Sequence, residues 1–221
     1  MSAKQFHDLF EAPEVQSVPQ GPHPRGIGKL LFGPGRDVDA AHVALMEAVR
    51  QQDDFQVQEV LQVLTGSSLE EVLQRKDADG HAVLHLASTI AARSGENDMG
   101  ASIVSYLMHC RADLEQRNLL GETPLALAVR ESLLFSDVSK AVLCLLEGRA
   151  DPDACDDLGE TPLMDAACHG SGALCEALLR RRADVALQAH SGATAKDFAE
   201  SQGHKEANPF DSSLFHHIPT K

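Results

Sequence analysis

Leu158-Gly159-Glu160-Thr161-Pro162-Leu163-Met164-Asp165-Ala166 reads as a tight turn that passes directly into a helix. Glycine supplies a backbone conformation that strains other residues. Thr followed by Pro then opens a helix at a place where a missing N–H does no harm. The phrase recurs as Leu120-Gly121-Glu122-Thr123-Pro124-Leu125-Ala126-Leu127-Ala128 and, less closely, as Asp79-Gly80-His81-Ala82-Val83-Leu84-His85-Leu86-Ala87. A fourth, altered copy is Ser191-Gly192-Ala193-Thr194-Ala195-Lys196-Asp197-Phe198-Ala199. The glycines at 80, 121, 159 and 192 are spaced by 41, 38 and 33 residues.

Behind each of the first three phrases lies a second helical pattern: Ile103-Val104 with Leu107-Met108, Val138 and Val142 with Leu145-Leu146, and Leu174 with Leu178-Leu179. All three close alike, on Arg111-Ala112-Asp113, Arg149-Ala150-Asp151 and Arg182-Ala183-Asp184. A turn, two helices and a return, repeated, is a unit that cannot bury its apolar face alone and is stabilised by stacking on its neighbours.

At these residues the chain resembles the ankyrin repeat family, whose unit of about 33 residues carries a T-P-L-H-x-A signature. The resemblance implies an all-α solenoid of stacked helix-turn-helix units with short β-turn or hairpin tips. Repeats are expected over 77–115, 118–151 and 156–189, with a C-terminal cap over 189–207. Residues 41–76 are expected to form a degenerate N-terminal cap, with two short helices between Val43 and Leu64. The Pro/Gly-rich stretch 1–40 reads as an irregular leader, and 208–221 as a flexible tail.

Three departures from the family pattern stand out. Ala82-Val83 replaces Thr-Pro and should weaken that helix start. The surplus residues of the first two units read as loops, the first around Arg93 to Gly100. Lys196 stands where a core Leu belongs, as suits a terminal unit that meets water.

Charge narrows the function classes. With 33 Asp and Glu against 19 Lys and Arg the net charge is -14, which opposes nucleic acid and anionic lipid as partners. The opening residues lack an apolar signal region and no stretch is long enough to span a membrane, so a cytoplasmic chain, with the nucleus as a second compartment, is expected. The five cysteines form an odd set without a C-x-x-C pair and read as free thiols.

Catalytic and metal motifs fall short. Gly21 to Lys29 misses a phosphate loop because Ile27 stands in place of Lys and two prolines lack N–H groups. Asp77-Ala78-Asp79-Gly80 begins like a calcium loop but lacks the later ligands, and Cys168, His169 and Cys175 lack a fourth ligand. His85 reads as a helix-start histidine bonded within the turn. No catalytic residue, cofactor or metal is expected, and an enzyme is the remotest reading.

The family resemblance implies partner contacts at the turn tips and on the concave face of the first helices. Transferred to this chain, the expected contact residues are Asn118, Glu122, Arg130, Asp156, Asp157, Glu160, His169 and His190. The stretch Asp151 to Glu160 holds five acidic residues and no base, and residues 77–205 hold 20 acidic against 11 basic residues. An adaptor or scaffold that binds a basic protein segment is therefore expected, with a subunit that occludes a partner enzyme as the alternative. Asn208-Pro209-Phe210 looks like the short peptide recognised by EH domains of endocytic adaptors.

Overall fold

A computed structural model describes residues 38–204 except 65, 95–97 and 136–137. The leader, the Gly21 to Lys29 stretch and the Asn208-Pro209-Phe210 tripeptide lie outside the described residues. The N-terminal unit contains α1 (Val38–Arg50), α2 (Asp54–Val63) and α3 (Ser67–Gln74). The first two are the helices expected between Val43 and Leu64, and α3, beyond that stretch, buries a further short apolar face through Val72 and Leu73.

Repeat one is α4 (Val83–Arg93) with α5 (Asp98–His109), and repeat two is α6 (Pro124–Phe135) with α7 (Lys140–Glu147). Repeat three is α8 (Pro162–Cys168) with α9 (Gly172–Arg180), and α10 (Ala195–Ser201) closes the stack. Among the described residues there is no extended strand, only an isolated antiparallel bridge between Gln188 and Thr194.

The stacking core is built as the phrase implies. Leu84, Leu125 and Leu163 are buried at equivalent positions, as are Ala87, Ala128 and Ala166. Leu107, Leu145 and Leu178 of the second helices meet them, and one continuous apolar cluster runs from Ala41 to Ala199. Fully burying a leucine contributes about 1.5–3 kcal/mol, and alanine between layers lets the helices approach closely. Lys196 is exposed and pairs with Glu200 at 3.7 Å, so the last first helix turns a polar face outward.

Most of the surplus in the first two units is helix, while residues 95–97 of the expected loop, and 136–137, lie outside the described residues. α4 and α5 have 11 and 12 residues and α6 and α7 have 12 and 8, whereas α8 and α9 have 7 and 9. The insertions carry helix-forming Ala91 and Ala92, both buried, so the first helix simply continues. Arg93 at the end of this extension donates to Glu131 of the next repeat through Nε and a terminal nitrogen at 2.6 and 3.0 Å.

The Arg-Ala-Asp endings have one geometry. Arg111, Arg149 and Arg182 have φ of 63°, 70° and 68°. Their N–H groups donate to Met108, Leu146 and Leu179, while the following alanines donate to Leu107, Leu145 and Leu178. This is a Schellman ending with arginine in the left-handed position that glycine usually takes. The neighbouring Gly148 is right-handed at φ −67° and does not form the turn; its lack of a Cβ leaves room for the Met108 methyl. Asp113, Asp151 and Asp184 then accept the N–H two residues on, at 2.8–3.0 Å, and start the next turn.

Candidate partner-binding surface

The tips are rigid because side chains and backbone close them twice over. Asp77 Oδ1 accepts the N–H groups of Asp79 and His81 at 3.0 and 2.8 Å. Asn118 Oδ1 does the same for Leu120 and Glu122, both at 2.9 Å, and Asp156 Oδ1 for Leu158 and Glu160, both at 2.9 Å. Successive tips are also bonded to one another, from Leu119 N–H to the Asp79 carbonyl, Asp157 to Leu120, and His190 to Leu158. Gly121 and Gly159 have φ of 76°, and a Cβ there would strike Asp157 and His190 of the next tip. Glycine is thus required at these two positions for both conformation and close approach.

The helix starts are capped according to their residues. Thr161 and Thr194 accept from Met164 and Asp197 at 3.4 and 3.3 Å, and Asp197 returns the bond to Thr194. Repeat one lacks the threonine and its cap bond, and His85 supplies only the reciprocal bond, as Asp197 does in the last unit. His85 Nδ1 accepts the Ala82 N–H at 3.2 Å, and Nε2 donates to the Glu122 carbonyl at 3.1 Å. The ring is fully buried, and desolvation lowers its pKa to about 4, against the bond to Glu122 that raises it. This neutral imidazole joins repeat one to the tip of repeat two.

Beneath the tip of repeat two lies a charged cluster. Arg130 pairs with Glu122 and lies 3.6 Å from Asp165 of repeat three. Asn118 Nδ2 donates to the other Glu122 oxygen at 2.7 Å. Glu122 is 2% exposed, and Asp165 is buried enough that desolvation raises its pKa to about 6 in spite of Arg130. His169 is exposed on the same helix face, its Nδ1 2.9 Å from the Asp165 carbonyl.

Asn118 and Glu122 of the expected contact set are buried, and their side chains hold the tip together. Asp156 does not simply point to solvent, because it organises its own turn. Asp151 also serves its turn, and Asp153 accepts the Asp184 N–H at 2.7 Å, so three of the five carboxylates in this acidic stretch bind backbone. Asp157 is exposed and Glu160 half-buried, and among the described residues neither carboxylate has an ion pair. Arg130 is half-buried within its ion pairs, and His190 is exposed beside Gly159.

Among the described residues, Asp77, Asp79 and His81 are close enough to share a metal, but Asp77 is committed to its turn and His81 Nε2 faces Asn118 Nδ2 at 3.1 Å. Cys175 is buried, and its thiol pKa is pushed up to about 12 by desolvation, which makes it a poor ligand. Among the described residues no helix is long and apolar enough to cross a membrane.

A family profile described as "Ankyrin repeats (3 copies)" matches residues 88–189. Residues 88–189 are ankyrin repeats. Ankyrin repeat domain-containing protein 63 of Mus musculus is 36% identical over 110 residues, covering 48% of this chain and 27% of that protein. The Homo sapiens protein of the same name is 35% identical over 108 residues, covering 47% and 27%. B-cell lymphoma 3 protein homolog of Mus musculus is 34% identical over 128 residues, covering 58% and 27%. The chain spans about a quarter of the length of these curated relatives. Ankyrin repeats are protein-protein interaction modules and in general are not enzymes, which accords with tips open to solvent.

Proposed function

We propose that this ankyrin array is an adaptor or scaffold, acting in the cytoplasm or nucleus, that binds a basic segment of a partner protein at the tip of repeat three. The observation that carries the reading is the state of the charges. The cations of the first helices are paired, Arg93 with Glu131 and Arg130 with Glu122 and Asp165. Among the described residues Asp157 and Glu160 have no ion pair, and the guanidinium of the nearby Arg117 is engaged by the Gly121 and Cys155 carbonyls. Exposed carboxylates held in place steer a cationic segment and act mainly on association rate, with strong screening by salt.

The test is stopped-flow association of a lysine-rich peptide with the full chain and with a variant carrying Asp156→Asn, Asp157→Asn and Glu160→Gln. Asn118 already performs the Asp156 role in repeat two, so the first change removes charge and keeps both turn bonds. Slower association with a flatter salt dependence is expected. An unchanged rate would refute the tip as the contact and transfer the interest to Arg130 and His169.

A further inference from the structure

The tips of repeats two and three carry large apolar side chains in solvent. Leu119, Leu120 and Leu158 are 69%, 62% and 63% exposed. Isolated exposed leucines are ordinary, but contiguous ones on a charged protein mark interaction sites. These three are neighbours by construction. The bond from Asp157 N–H to the Leu120 carbonyl, 3.1 Å, sets the two tips side by side, and Leu158 follows Asp157 directly. Leu120 and Leu158 occupy equivalent positions, each immediately before its glycine, where the other two tips have Asp79 and Ser191.

The stripe needs no rearrangement to receive a ligand. Leu119 lies over Gly80, whose missing Cβ makes room for it, and its N–H is tied to Asp79. Leu120 and Leu158 donate their N–H groups to Asn118 and Asp156. Side chains presented on a fixed backbone lose little ordering entropy on binding. Carboxylates belong to the same tips: Asp79, whose carbonyl accepts the Leu119 N–H, Asp157 between Leu120 and Leu158, and Glu160 two residues after Leu158.

Apolar side chains bounded by carboxylates select a ligand of complementary pattern. We infer that the stripe formed by Leu119, Leu120 and Leu158 seats aliphatic or aromatic anchors of a partner segment whose Lys or Arg residues flank those anchors and face Asp157 and Glu160. This rests on the reading of repeat three as the binding tip and adds that charge alone does not suffice. The anchors lengthen residence and the bases raise the encounter rate.

The experiment is selection of a randomised peptide display library on the full chain, followed by binding of the enriched peptides to Leu120→Ser with Leu158→Ser and to Asp157→Asn with Glu160→Gln. Peptides with apolar anchors among bases are expected. The leucine variant should weaken them about tenfold or more, chiefly through faster dissociation, and the charge variant should slow their association. Enriched peptides that are basic but lack anchors would overturn the stripe and leave the basic-partner reading standing. Peptides without bases would overturn both. Anchored peptides indifferent to the leucine variant would place the site elsewhere and also refute the inference. So would a concentration-dependent dimer, in analytical ultracentrifugation, that the leucine variant abolishes, since the stripe would then serve a second copy. Both substitutions alter exposed or half-buried side chains, and unchanged circular dichroism confirms that folding is intact.

Discussion

The tips of repeats two and three share the words Leu-Gly-Glu-Thr-Pro-Leu and use the glutamate in opposite ways. Glu122 is buried between Asn118 and Arg130, whereas Glu160 is half-buried with no ion pair among the described residues. The cause lies eight residues on, at the end of the first turns of the helix. Arg130 occupies that place in repeat two and Cys168 in repeat three, and a thiol cannot neutralise a carboxylate. One phrase therefore yields a structural tip and an open one, and the choice is made by a residue outside the phrase.

The largest effects that bear on this contrast come from pH, because the repeat-two tip is bracketed by two groups that titrate in opposite senses. His85 has a folded pKa near 4, below its ordinary 6.5, so its contribution is complete above pH 6.5 and is lost as pH falls toward 4. Asp165 has a folded pKa near 6, above its ordinary 3.8, so its contribution is complete below pH 3.8 and is lost as pH rises through 6. Each amounts to about 3 kcal/mol over its window, and in the intact protein they largely cancel. Asp165→Asn should expose a stability that falls on acidification, and His85→Gln one that rises. Urea denaturation at pH 4, 5, 6 and 7 measures both slopes; parallel slopes for the two variants would break the scheme.

Next in size is removal of the shared base. Arg130→Ala strands the buried Glu122 carboxylate and should cost about 2 kcal/mol, the exposure of the guanidinium keeping it below the figure for a fully buried pair. Cys168→Arg offers Glu160 the partner it lacks and should be neutral or gain up to about 1 kcal/mol. Thermal melts of the two variants would then move apart, and a destabilised Cys168→Arg would show that repeat three cannot house the pair.

Asp156 gives a smaller, sharper pair. Asp156→Ala frees two backbone N–H groups and should cost about 1–2 kcal/mol, while Asp156→Asn, which copies Asn118, should lie within about 0.5 kcal/mol of the parent. Equal losses in the two variants would mean that charge and not turn bonding holds the tip. Smallest is Arg182→Gly. Relief of the left-handed strain on the order of 1 kcal/mol, partly offset by lost helix-dipole complementation, should raise the melting temperature slightly.

How much of this is legible in the sequence depends on the element. The glycine phrase and the paired leucines locate every tip and both helices of each repeat, since stacking leaves little freedom to a unit of this length. The surplus residues read as loops but most of those described are helix, because length alone does not reveal that Ala91 and Ala92 can be buried by a longer neighbour. Ala82 reads as a weak helix start, and only the His85 ring position shows how it is compensated. The acidic stretch reads as one uniform surface. Asp151, Asp153 and Asp156 serve backbone groups instead, a role whose signal is the aligned Asp77, Asn118 and Asp156 four residues before the residue that follows glycine.

The most direct test of the division between structural and open tips uses two single substitutions and two readouts. Glu122→Gln and Glu160→Gln are compared by melting temperature and by the association rate of a lysine-rich peptide. The account predicts that Glu122→Gln lowers the melting temperature, by loss of about 1–2 kcal/mol, and leaves association nearly unchanged. Glu160→Gln should do the reverse, slowing association with stability kept within about 0.5 kcal/mol. If both substitutions slow association alike, or if Glu160→Gln is the destabilising one, the two tips do not divide the labour and the account fails.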